Sequence, residues 1–297
     1  MDEQLASAVT GGPRQAMRAP APAPPPAAAA IPPPPVPAPS VAAEPRRRDR
    51  VRRPGPSPAT PVELLELGMV AEADAAVGTA SHPRDALTWA TMRALLDGRQ
   101  EAVRTGVEEL RALAQRTDDP EARYRYRIQR FWAAFEWGTN EERLDVLDHC
   151  RERAYRFDEL DWWGNLVLLL AAMGKEDEAV RGLDEAAALV GSVANHPAAL
   201  DPLTNLIEAA AMLGDPARVS TVARFLKWPE GRVVVVGPGV VCKGSVDRYR
   251  ALGLAAAGKW RQAEECFRQA EAVHRDLGAG PLLARTLRQA SGAGVAA

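Results

Sequence analysis

From Pro61 onward, apolar residues recur at helical spacing, and the pattern is interrupted at glycine and proline. Gly68, Gly98, Gly138, Gly174, Gly214 and Gly258 each separate two amphipathic segments, at intervals of 30 to 44 residues. A recurrence of this size predicts stacked helix–turn–helix units. Local chemistry supports the boundaries. Asp119-Pro120, Asp201-Pro202 and Asp215-Pro216 read as helix starts, because Asp can cap free amides and Pro suits the first helical position. Thr139-Asn140-Glu141-Glu142 fits a capping box. The turn glycines can end the preceding helices in a left-handed conformation. Only Val233–Val236 reads as extended. The expected architecture is all-α: a right-handed superhelical solenoid of about six hairpins over residues 61–297.

Aligned on their glycines, the hairpins share small and large positions. Ala179, Leu183 and Ala186 follow Gly174 at the offsets at which Ala263, Phe267 and Ala270 follow Gly258, and Ala73, Val77 and Ala80 follow Gly68. Trp163, Leu166 and Leu170 form an i, i+3, i+7 stripe before Gly174. These residues resemble the tetratricopeptide repeat (TPR), best over Trp163–Ala186 and next over Gly258–Ala270. Most intervals exceed the 34 residues of that family, so the resemblance implies divergent repeats with longer helices. Before Gly258 the match is poor, since Tyr249 and Leu252 fall out of register.

The stretch from Val246 to Ala290 resembles the last repeat of the helical sensor arms in large bacterial ATP-dependent transcription activators and in some multidomain nucleotide cyclases. Residues 89–103, WATMRALLDGRQEAV, have the same character. The sequence holds no G-x-x-x-x-G-K-[ST], so the resemblance implies an arm alone, without ATP hydrolysis or DNA binding.

Residues 1–60 are of another composition. They hold 16 of the 25 prolines, and Pro20–Pro39 is almost only Ala and Pro. Such a tract cannot propagate helix or sheet, and the segment is expected to be a disordered spacer. Its acidic start, MDEQ, does not fit a secretory signal, which makes cytoplasmic the expected location. The segment ends in RRRDRVRR at 46–53 and carries a net charge of +4, against −6 for the remainder. No aromatic residue interleaves those arginines, so the run reads as a solvated linker charge and not as a nucleic-acid contact. No apolar run reaches the roughly 18 residues of a spanning helix, so no membrane is expected.

Catalytic and cofactor signals are weak. Val233–Ser245 imitates a phosphate loop, but the order is Lys243-Gly244-Ser245 where Gly-Lys-Ser is needed, and Cys242 holds the third glycine position of a dinucleotide fingerprint. An irregular connection between repeats is the expectation. Four His and three Cys are scattered without metal-ligand spacing, which implies no metal, cofactor or disulfide framework. The seven tryptophans are expected to pack between repeats. One helix, Arg123–Trp137, differs. Aligned on Gly138, its Arg125, Ile128 and Trp132 fall where first-helix residues of such repeats face the concave groove. Guanidinium and aromatic groups are enriched in binding hot spots. The expected function is a non-catalytic scaffold or adaptor, regulatory in role, binding a protein or peptide partner there, with an acidic peptide as the candidate and self-association open. The alternative is an effector-sensing arm controlling a separately encoded ATPase, cyclase or transcription regulator. A third class, an enzyme or nucleotide binder at 233–245, has only the imperfect loop behind it.

Overall fold

A computed structural model describes residues 59–78, 82–157, 159–193, 196, 199–227 and 230–293. The chain divides into two units, Met1–Gly55 and Pro56–Ala297, and every described residue belongs to the second. The expectation of a disordered tail over 1–60 therefore lies almost wholly outside the described residues, as does Ala80.

Thirteen helices and two short strands are present among the described residues. The helices form six consecutive pairs and a last single helix. The pairs are α1 (Pro61–Glu66) with α2 (Val70–Val77), α3 (Pro83–Asp97) with α4 (Gln100–Thr117), and α5 (Pro120–Trp137) with α6 (Asn140–Phe157). They continue with α7 (Leu160–Ala172) and α8 (Glu176–Val193), then α9 (Leu200–Met212) and α10 (Pro216–Ala223). After strands β1 (Val233–Val236) and β2 (Val241–Ser245) come α11 (Val246–Ala256) and α12 (Trp260–Asp276), and then α13 (Gly280–Gly292). No helix among the described residues is long and apolar enough to cross a membrane.

The predicted boundaries rest on the predicted chemistry. Five of the six turn glycines are left-handed, with φ between +65° and +77°; Gly138 is extended at −66°. Asp119 and Asp215 cap α5 and α10, each followed by proline. Thr139 and Glu142 form the reciprocal capping box, at 2.8 and 3.2 Å. Asp201 departs from expectation: α9 starts two residues earlier, at Leu200, and the Asp201 side chain turns to another task described below.

The shared small and large positions are core. Ala73, Ala179, Ala186, Ala263 and Ala270 are fully buried, and Leu183 and Phe267 are nearly so. Trp163, Leu166 and Leu170 are buried on α7, a helix apolar on almost every side and hence central. The inner helices meet one another: α3 with α5, α7 with α9, α9 with α11, and α13 back with α3.

The segment read as an irregular connection is a β-hairpin. Strands β1 and β2 pair antiparallel, Val233 opposite Ser245 and Val236 opposite Val241, with a bulge between Val234 and Val235. All five residues of β2 are buried. The hairpin packs against α1, α3, α5, α9, α11 and α12. A second apolar cluster forms around it, joining Leu65, Trp89 and Met92 of the first helices to Leu277 and Leu282 near the end.

Candidate functional site

The inner face expected to receive a partner is filled by this hairpin. Arg125, Ile128 and Trp132 are 5%, 8% and 5% exposed. Arg125 Nη1 donates to Asp85 Oδ1 (2.5 Å) and its Nε to Glu121 Oε1 (3.0 Å), so two carboxylates of the chain already neutralise it. Trp132 packs edge-to-face on Phe131 and Phe135, and its ring centroid lies 5.5 Å from Lys243 Nζ. Other parts of the chain cover all three residues. An acidic peptide meets no free guanidinium at Arg125, and Trp132 becomes accessible only if the hairpin leaves.

Lys243 is the centre of that face. Its side chain has no solvent exposure. Its three Nζ hydrogens are shared among Asp201 Oδ1 (2.7 Å), the Asp201 carbonyl (2.9 Å), Asn205 Oδ1 (2.7 Å) and Thr204 Oγ1. Thr204 Oγ1 gives its own proton to the Asp201 carbonyl, and Asn205 Nδ2 donates to Asn165 Oδ1 (3.0 Å). Burial pulls the Lys243 ammonium below the usual lysine range, and Asp201 opposes that pull. No room is left for a phosphate: the void among Lys243, Trp132, Tyr249 and Arg285 is about 20 Å³, the size of one water.

Next to it lies a buried charge network. Arg248 grips Glu208 with two bonds of 2.9 Å and also donates to Gln289 Oε1 (3.1 Å) and to the Tyr249 hydroxyl. Arg285 Nε lies 3.5 Å from Glu208 Oε1, and Arg285 Nη2 donates to Glu136 Oε1 (2.5 Å). Burial works against the Glu208 carboxylate, but Arg248 and Arg285 bring it down to about 2. Gln129, fully buried, donates to the carbonyls of Thr88 (2.8 Å) and Val240 (3.0 Å), tying α3 and α5 to the hairpin.

His274 completes the interior. The Ser245 N–H donates to its Nε2 (2.9 Å), so the proton is on Nδ1, which donates to Thr286 Oγ1 (3.0 Å). Burial, Arg248 and Arg285 push this imidazole down to about 3. Gly244 packs against it at φ +80°, and a Cβ there would fall 2.2 Å from His274 Nε2, so only glycine fits. Cys150 and Cys242 are buried thiols pushed up to about 12, and burial raises Cys266 as well.

Two outer features remain open. A groove of about 370 Å³ lies between the turns after α9 and α11 and the end of α13, lined mainly by apolar residues including Met212, Val219, Leu252 and Trp260. Trp260 is 53% exposed there, against the expectation that the tryptophans pack between repeats; Trp89, Trp132 and Trp163 do so. The second feature is a cleft of about 290 Å³ between α5 and α6, the pair joined by the extended Gly138. Tyr126, Arg127, Arg130, Asp145, Val146 and His149 line it. Among the described residues, no group of His, Cys, Asp and Glu could hold a metal ion.

No family model matches the chain, and no curated protein or solved structure matches it either.

Proposed function

We propose that residues 61–297 are a divergent TPR-like superhelix acting as a non-catalytic, regulatory interaction module, and that its partner docks on the outside. The left-handed turn glycines and the buried Ala–large–Ala positions support the repeat reading. The observation that carries the docking surface is Trp260, half-exposed beside Met212 at an apolar groove of about 370 Å³. Tryptophan is among the residue types that dominate interface energetics. Its occupant is a partner protein that inserts an apolar side chain between Met212 and Trp260. The inner face serves cohesion. The experiment is affinity capture with the full chain against Trp260→Ala and Met212→Ser. Loss of one defined partner in both variants, with unchanged helical signal, supports the reading; equal capture overturns it, and light scattering identifies the partner if it is a second copy.

A second reading, an effector-sensing arm, has the α5–α6 cleft in its favour, a metabolite-sized recess with arginines in its wall.

A further inference from the structure

We propose that the α5–α6 cleft is a binding site for a small oxyanion ligand, a phosphate or carboxylate compound, held by Arg127 and Arg130 beside the His149 ring. The inference rests on the effector-sensing reading for its regulatory use, not for its existence. Residues 61–297 carry a net charge of −6, so most guanidinium groups find a carboxylate. Arg127 finds none within ion-pair distance among the described residues, and neither does Arg153, which lies over the rings of Phe157 and Trp162. Arg130 pairs with Asp145 at the cleft wall.

His149 stands among these cations. Arg127, Arg153 and Arg130 all act on its ring, and Glu152 opposes them. Its ring meets Trp162 edge-on at 5.5 Å, which fixes its plane. The Nε2 atom is shielded from solvent and has no hydrogen-bond partner, and the same is true of Arg153 Nε. Burial and the three arginines hold the imidazole below its ordinary range. An anion in the cleft would offset those positive charges and accept from Arg127. Tyr126 and Val146 give the remainder of the wall an apolar side for a short carbon skeleton. At about 290 Å³ the cleft is of a size for a small metabolite.

Asp145 is the internal competitor, since its carboxylate already occupies Arg130. That gives the proposal a variant that should gain affinity. Inorganic phosphate and succinate are titrated separately into the full chain, read by thermal shift and by the His149 ring resonances. Saturable binding of at least one probe is expected, with His149 moving. Arg127→Gln should weaken it at least tenfold, Asp145→Asn should strengthen it, and Arg261→Gln, an exposed arginine on α12, should change nothing. The stronger probe tells a phosphate from a carboxylate ligand. Equal responses in Arg127→Gln and Arg261→Gln, or no saturation by either probe, would overturn the site. Saturable binding that leaves partner capture unchanged would keep the site and remove only its effector role.

Discussion

Arg285 of α13 donates to Glu136 of α5 across 149 residues of sequence. Other contacts also bring the last helices back to the early ones. Arg93 of α3 reaches the Leu277 carbonyl at 3.4 Å, and Pro281 packs on Gly98. The hairpin sits within this closure, and its polar anchors decide how firmly the early and late helices hold together.

Lys243→Ala is expected to destabilise the protein by about 3–5 kcal/mol, because it strands Asp201, Thr204 and Asn205 without their shared donor. Lys243→Met keeps the stem against Trp132 and Tyr249 and should recover part of the loss. Urea unfolding checks both. A Lys243→Ala midpoint equal to that of the parent would refute the anchor.

Glu208 and Arg248 should behave as one unit. Either single change, Glu208→Gln or Arg248→Met, leaves a charge buried and should cost about 3–5 kcal/mol. The double change should cost less than the sum, giving a coupling energy of about 1–3 kcal/mol in a double-mutant cycle. Strict additivity would show that Arg285 alone satisfies Glu208.

Stability should fall in acid partly through His274. Its folded-state value, about 3, lies below the ordinary 6.5, so the unfolded chain binds the proton first. The contribution is fully present above 6.5 and is lost at up to about 1.4 kcal/mol per pH unit as the pH drops toward 3. Glu208 adds a loss of the same sign below its ordinary 4.5. Asp161 works the other way: crowding by protein, with Asp201 and Glu159, pushes it up to about 6, so its contribution favours the folded chain at lower pH. Asp161 is exposed, which keeps its effect small. Comparing stability at pH 6.5 and 4.5 for the parent and His274→Gln isolates the imidazole, and the variant should show the shallower decline.

Gly106→Ala should destabilise by about 1–3 kcal/mol, since the new methyl would sit 2.1 Å from Thr91 Oγ1 where α3 and α4 cross. Adding Thr91→Ala removes the obstructing atoms and should restore most of the stability. Thermal unfolding of the single and double variants reads this directly.

All three thiols should resist a disulfide exchange reagent in the native chain and react in urea, because Cys150, Cys242 and Cys266 are buried and unpaired. Rapid native labelling of Cys242 would mean that the hairpin opens.

The helix pairs were legible because glycine and capping residues act locally. Gly98, Gly174, Gly214 and Gly258 mark turns by a conformation that most other residues avoid. Thr139 and Glu142 need only each other. Strand β2 was not legible, since it is covered on both faces and so has no apolar–polar alternation to betray it. Lys243 read as a displaced phosphate lysine because its partners lie 38 to 42 residues away. Trp260 read as packing, but as the first residue of α12 it lies at the edge of the apolar stripe. What covers Trp132 did not follow from helical phase.

An array of like units can ordinarily grow or shrink by one without harm, since each touches only its neighbours. Gln129 spans from Thr88 to Val240, and Arg285 reaches Glu136, so the number of helix pairs here is fixed by contacts between elements far apart in sequence. Deleting or duplicating one internal pair would leave the hairpin the wrong distance from its moorings. The fold behaves in that respect less like a chain of beads than like an arch with its keystone in place.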